Sequence, residues 1–90
     1  MYRYQPQIDA CNQALESVGD IIPEVLHSDV HAYINDYSEW GLGIEILIDQ
    51  IYEYGITLTE PQCNLILSAM GLMNLSESNR CDLIREQCRE

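Results

Sequence analysis

Hydrophobic residues recur along this chain at steps of three and four, the period of an amphipathic helix. Gly19 directly follows the first such stripe and is a candidate C-cap. Strand-type alternation is missing, apart from the three residues before Thr59. The first stripe comprises Ile8, Cys11, Leu15 and Val18.

Two further stripes predict a second and a third helix. Pro23 can open the second helix, because a missing N–H is tolerated at the first helical position. This helix is expected to run to about Ser38, and the third helix to stop at Gly55. The second stripe comprises Leu26, Val30, Tyr33, Ile34 and Tyr37, and the third comprises Ile44, Leu47, Ile48 and Ile51.

The segment "ITLTEPQ", residues 56–62, carries the signals that start a fourth helix. We expect an extended run over residues 56–58, with Thr59 as the N-cap and Gln62 as its capping-box partner. Pro61 falls in the first turn, where proline is tolerated. The fourth stripe comprises Cys63, Ile66, Leu67 and Met70 and leads to Gly71.

A last helix is expected after Ser76, which can cap it, and its apolar positions are Cys81, Ile84 and Cys88. The turn signals fall at helix-length intervals with no linker between them. We therefore predict an all-α fold, a compact single-domain bundle of four to five short helices over residues 1–90.

Charge is the unusual feature of the composition. The chain has 15 acidic and 4 basic residues, a net charge of −11, and residues 4–79 hold 12 acids with no Lys or Arg. Such a field repels nucleic acid and anionic membranes and speeds encounter with a basic protein. Direct nucleic-acid binding is therefore excluded, although acidity that serves solubility alone is an alternative explanation.

The stretch "EILIDQIYEYG", residues 45–55, carries part of this excess of acidic residues on one helix face. Glu45, Asp49 and Glu53 are spaced i, i+4 and i+8, so their carboxylates stack along one row. Like charges at this spacing destabilise an isolated helix by roughly 0.2–0.5 kcal/mol per pair. With no basic residue interleaved, the row is expected to find its counter-charge on a partner.

The sequence carries only weak signals for a metal site or a catalytic site. His27 and His31 are spaced i, i+4, but a zinc site needs more ligands, and they are read as surface residues. Trp40 and Leu47 stand where a calcium loop over residues 36–47 would need oxygen ligands. Nucleophile–base patterns are also missing. We expect no catalysis, no metal and no cofactor.

The four cysteines show no C-x-x-C spacing, and the N-terminal residues lack a signal-peptide pattern. The thiols are therefore expected to be free and the protein to be cytoplasmic.

A candidate partner-binding surface lies on the second helix and the turn after it. Its residues combine carboxylates with aromatic side chains, which interfaces favour. Two alternatives stay open: Tyr33 and Tyr37 pack at the core edge, and Trp40 fills the core between the second and third helices. This surface, called the acidic-aromatic strip below, comprises Asp29, Tyr33, Asp36, Tyr37, Glu39 and Trp40, with Asp49 and Glu53 as electrostatic support.

Residues 39–75, "EWGLGIEILIDQIYEYGITLTEPQCNLILSAMGLMNL", resemble the central segment of the MafI-type immunity proteins. The resemblance rests on a Gly-Leu-x-x-Glu element at Gly41, Leu42 and Glu45 and on the extended "ITLT" before a capped helix. It covers about 40% of the chain and departs at Gly43, where the family pattern has Ala, and at Ile48, where it has Cys. The other matching residues are Leu47, Asp49, Tyr52, Glu53 and Tyr54. An alternative role for such shared residues is to hold the scaffold, in which case Asp49 and Tyr52 hydrogen-bond within the domain and the acidic row is partly structural.

The resemblance implies an immunity protein that binds and neutralises one cognate toxin domain of a contact-dependent inhibition system. Such toxins are often nucleases, whose basic surfaces suit an acidic inhibitor. It implies a monomer in a 1:1 complex, with no contact to nucleic acid or membrane. The alternative is an acidic nucleic-acid mimic or adaptor that binds a nucleic-acid-handling protein of the host; a regulatory subunit of an unrelated complex is a further possibility.

Overall fold

Five α-helices joined by short connections make up the computed structural model, which describes residues 4–88. The all-α bundle is confirmed. Over these residues the β-structure is one isolated bridge between Leu58 and Cys88. The single-domain prediction covers residues 1–90, of which 1–3 and 89–90 lie outside the described part. The helices are α1 (Gln5–Ser17), α2 (Glu24–Asn35), α3 (Trp40–Tyr54), α4 (Glu60–Leu72) and α5 (Asn79–Gln87).

Two of the predicted helix ends are confirmed by their local geometry. Gly55 ends α3 in the left-handed conformation, with φ of 65°, which glycine adopts without steric cost. Before α4, the backbone N–H of Thr59 donates to Gln62 Oε1 at 2.8 Å, and the Gln62 N–H donates to Thr59 Oγ1 at 3.4 Å. This capping box satisfies two backbone donors at the exposed start of α4.

Two predicted caps are wrong. The C-cap of α1 is Val18 and not Gly19, because α1 closes with a turn at negative φ that does not require glycine. The N-cap of α5 is Ser78 and not Ser76; its hydroxyl accepts the Arg80 N–H at 3.2 Å. Serine is a favourable N-cap residue, so the sequence alone does not distinguish Ser76 from Ser78. The course of the backbone before α5 places Ser78 at the cap.

The second helix is shorter than predicted. It begins after Pro23, which is its N-cap, and it ends at Asn35 instead of Ser38. Ser38 has φ of 56°, and the Glu39 N–H donates to the Tyr33 carbonyl at 2.8 Å. The chain therefore turns sharply after α2 and enters α3 at Trp40.

The core lies around α3. Its residues Ile44, Leu47, Ile48 and Ile51 are all fully buried, as their period predicted. Helix α2 packs on one side of α3 and α5 on another, while α1 packs mainly against α4. The two sides of α3 therefore meet different neighbours, and this separates the candidate site residues.

The expectation of four free thiols is wrong for two of them. Cys63 in α4 and Cys88 after α5 form a disulfide, with their Cα atoms 6.1 Å apart. A backbone hydrogen bond lies close to this bond in sequence: the N–H of Leu58, five positions before Cys63, donates to the carbonyl of Gln87, directly before Cys88, at 2.8 Å. Tertiary packing thus brings together two cysteines 25 positions apart, which no local spacing signals.

The remaining two cysteines, Cys11 and Cys81, are free and buried. Burial raises the pKa of the Cys11 thiol to about 11, so it stays protonated at neutral pH. Its Sγ lies 3.8 Å from the Trp40 carbonyl oxygen. Cys11 therefore contributes to packing between α1 and the start of α3.

None of the five helices combines the length and the apolar character that crossing a lipid bilayer would require.

Candidate interaction surface

The carboxylates of the acidic-aromatic strip lie on the surface. Asp29 is on α2, Asp36 is its C-cap, and Glu39 precedes α3. All three are exposed, and their carboxylates form no ion pair within residues 4–88. They are therefore available to the cations of a partner.

The two tyrosines of the strip differ in exposure. Their rings meet edge to face, with centroids 5.8 Å apart. Tyr33 is half-buried, whereas Tyr37 is 64% exposed. Tyr37 was assigned to the apolar face of the second helix, but α2 ends two residues before it. Core-edge packing therefore describes Tyr33, while Tyr37 presents its ring to solvent.

Trp40 is the first residue of α3 and is half-buried against the core. Its ring centroid lies 5.5 Å from that of Tyr4, at the start of α1. Trp40 therefore takes part in packing next to α1, and the strip presents only part of this side chain to a partner.

The acidic row on α3 has a counter-charge within the chain for two of its three members. The Arg80 guanidinium donates from Nε to Asp49 Oδ1 and from Nη2 to Asp49 Oδ2, both at 3.0 Å. Its Nη1 donates to Glu45 Oε2 at 3.4 Å. The expectation that this row lacks an internal counter-charge is therefore wrong for Glu45 and Asp49.

The hydrogen bond to Asp49 is the main cause that raises the pKa of Arg80 above its ordinary value. The guanidinium thus stays charged and fastens α5 to α3. A hydrogen bond of Asp49 within the domain agrees with the structural alternative for this row, but its partner was not predicted, because the segment without cations ends at Asn79, one position before Arg80. Only the approach of α5 to α3 makes Arg80 a neighbour of residues 31 and 35 positions earlier.

We expect Arg80→Gln to lower the free energy of unfolding by about 1 kcal/mol. A bidentate ion pair that also contacts a second carboxylate contributes more to stability than an ordinary surface ion pair. Arg85→Gln is the matched control, since it removes the same charge from a more exposed pair with Asp82. That control should stay within about 0.5 kcal/mol of the wild type. Urea unfolding measures both, and equal losses would contradict the assigned role of Arg80.

Glu53, the third carboxylate of the row, is exposed and has no ion-pair partner among the described residues. It borders a groove of about 630 Å³ between the C-terminal half of α3 and α5. Tyr52 and Tyr54 are 41% and 60% exposed there. The groove, called the α3–α5 groove below, is lined by Asp49, Gln50, Tyr52, Glu53, Tyr54 and Leu83.

The structure thus divides the eight candidate residues into two groups. At Gly43, helix α3 faces Tyr33 and Ile34 of α2, and at Asp49 it faces Arg80 of α5. The acidic-aromatic strip therefore borders the α2 side of the molecule, while Asp49 and Glu53 belong to the α5 side. Of the eight, Asp49 is already engaged within the fold.

The two histidines are neighbours on α2, with ring centroids 6.2 Å apart. His27 Nε2 lies 3.5 Å from a carboxylate oxygen of Glu16. Across residues 4–88, the side chains include no group of three or more His, Cys, Asp or Glu placed to hold a metal ion.

Comparison with protein-family models, with curated proteins and with solved structures finds no match to this chain.

Proposed function

We propose that this protein is an inhibitor that binds a basic protein, and specifically an immunity protein that neutralises a cognate toxin domain of a contact-dependent inhibition system. The observation that carries the proposal is the uncompensated charge of the surface. The net charge is −11, and both arginines within residues 4–88 already pair with carboxylates of the same chain.

The exposed carboxylates without such a pair are the part of this charge that a partner can use. Asp29, Asp36 and Glu39 follow one another along α2 and its following turn, beside the exposed ring of Tyr37. A negative field of this kind steers a basic partner and raises the association rate toward ~10⁸ M⁻¹s⁻¹ at low salt. A basic nuclease-type toxin fits, because its substrate cleft must hold a polyanion.

The resemblance of residues 39–75 to MafI-type immunity proteins supplies the class of partner. Under this proposal the protein catalyses nothing, acts as a monomer in a 1:1 complex and works in the cytoplasm of the cell that makes the toxin. Cys63 and Cys88 would be held as thiols in a reducing cytoplasm. The proposal therefore requires the fold to persist without their bond.

The test uses the gene immediately upstream, which should encode a large secreted protein with a toxin at its C-terminus. We expect that C-terminal domain to co-purify with this protein and to be neutralised by it in cells. An isolated gene without such a neighbour, or a host nucleic-acid-handling protein captured in its place, would favour the mimic or adaptor alternative.

Charge reversal then locates the contact. We expect Asp29→Lys and Asp36→Lys each to weaken binding by roughly 1–3 kcal/mol, because each places a cation against the cations of the partner. Glu77→Lys makes the same charge change at an exposed residue between α4 and α5 and serves as the control. Titration calorimetry at physiological salt measures all three, and equal losses would show that only net charge matters.

A further inference from the structure

The α3–α5 groove holds one feature that the proposed function does not use. The row of Glu45, Asp49 and Glu53 contains two successive i, i+4 pairs of carboxylates. The first pair is bridged by the Arg80 guanidinium, with contacts of 3.4 Å to Glu45 and 3.0 Å to Asp49. The fold itself thus demonstrates that one guanidinium fits between carboxylates at this spacing.

The second pair, Asp49 and Glu53, repeats that spacing one turn further along α3. Arg80 takes one hydrogen bond to each oxygen of Asp49, and a carboxylate has about four acceptor positions. Asp49 can therefore accept a second guanidinium, while Glu53 forms no ion pair with any residue in 4–88. No cation of the described chain occupies this second position.

The side chains that line the groove suit a guanidinium, and so does the negative charge of the groove. Tyr52 and Tyr54 line it with partly exposed rings, and Leu83 of α5 lines it with an apolar side chain. A planar guanidinium stacks on aromatic faces and pairs with carboxylates in a fork geometry, whereas an ammonium is a compact and strongly hydrated charge. The groove therefore favours arginine over lysine.

We propose that the α3–α5 groove is a docking site for an arginine side chain of the protein partner, which bridges Asp49 and Glu53 as Arg80 bridges Glu45 and Asp49. This proposal rests on the proposed function in one respect, namely that the partner is a basic protein. It adds a second contact region, on a different side of α3 from the acidic-aromatic strip, and it specifies the chemical group bound there.

The experiment is an NMR titration of the disulfide-bonded chain of 90 residues with an acetylated, amidated peptide of alternating Gly and Arg. We expect amide shifts centred on Tyr52, Glu53, Tyr54 and Leu83. Glu53→Gln should weaken binding about fivefold, because it removes one of the two bridged carboxylates. Glu77→Gln makes the same charge change at an exposed residue between α4 and α5 and should alter the affinity less than about twofold.

A Gly-Lys peptide of equal charge should bind at least about threefold more weakly than the Gly-Arg peptide. Shifts centred on α2, equal effects of the two variants, or equal affinity for the two peptides would each overturn the proposal. If the groove binds the Gly-Arg peptide while no toxin partner is found, the proposed function fails alone. If a toxin partner binds Glu53→Gln as tightly as the wild type, the docking site fails alone.

Discussion

Reduction of the Cys63–Cys88 disulfide is expected to lower the free energy of unfolding by about 3 kcal/mol, as chain-entropy estimates give for a loop of this size. The bond links the first part of α4 to the residue that follows α5, and the two cysteines lie 25 positions apart in sequence. Without it, the end of α5 is held to residues 56–58 mainly by hydrogen bonds, including one of 2.9 Å from Gln87 Nε2 to the Ile56 carbonyl.

A loss of this size corresponds to a fall in melting temperature of roughly 12–24 °C for a domain of this length. Calorimetry with and without a phosphine reductant measures it. The Cys63→Ala/Cys88→Ala double variant is the control, because its melting temperature should not respond to the reductant. Identical melting of the wild type in both conditions would contradict the prediction.

A thiol count gives an independent check on the same bond. Under denaturing but non-reducing conditions we expect two titratable thiols, from Cys11 and Cys81, in place of the four that the sequence led us to expect. Four thiols would show that the bond does not form. The size of the stability loss also decides whether a reduced protein stays folded, which the proposed cytoplasmic role requires.

Gly43→Ala is expected to destabilise the fold by about 1–3 kcal/mol, the usual cost of adding a methyl group to a filled core. A Cβ at Gly43 would lie 3.1 Å from Tyr33 Cβ, 3.1 Å from Ile34 Cγ1 and 3.4 Å from the Val30 carbonyl oxygen. Tyr33 Cβ and the Val30 carbonyl are fixed to the backbone of α2, and Ile34 is only 1% exposed. The neighbours therefore cannot yield without moving α2 away from α3.

Gly71→Ala in α4 is the matched control, because no heavy atom lies within 4 Å of a Cβ built there. Helix propensity alone should make this variant more stable by about 0.5–1 kcal/mol. Opposite signs for the two substitutions in urea unfolding would support the close approach of α2 and α3. A Gly43→Ala variant that gains stability would show that these helices separate easily, as the Ala of the MafI-type pattern would require.

The sequence by itself determined the helical class and most of the core. Periodic positions such as Leu15, Val30, Ile48 and Ile66 are fully buried, because an amphipathic helix has one face that it can remove from water. The capping box of Thr59 and the left-handed Gly55 were also predictable, since each is formed by residues within four positions of one another. Local chemistry suffices for such features.

Only the tertiary structure decided which distant residues meet. Arg80 reaches Asp49 and Glu45, and Cys63 reaches Cys88, because α5 folds back against α3 and α4. These contacts join residues 25 to 35 positions apart, and the helical period carries no information about partners at that distance. The same packing left Glu53 without an ion pair among residues 4–88 and placed the acidic-aromatic strip and the α3–α5 groove on different sides of α3. The helical pattern thus defined the apolar and polar faces of each helix, while the packing of the helices decided which charges of residues 4–88 are paired with one another.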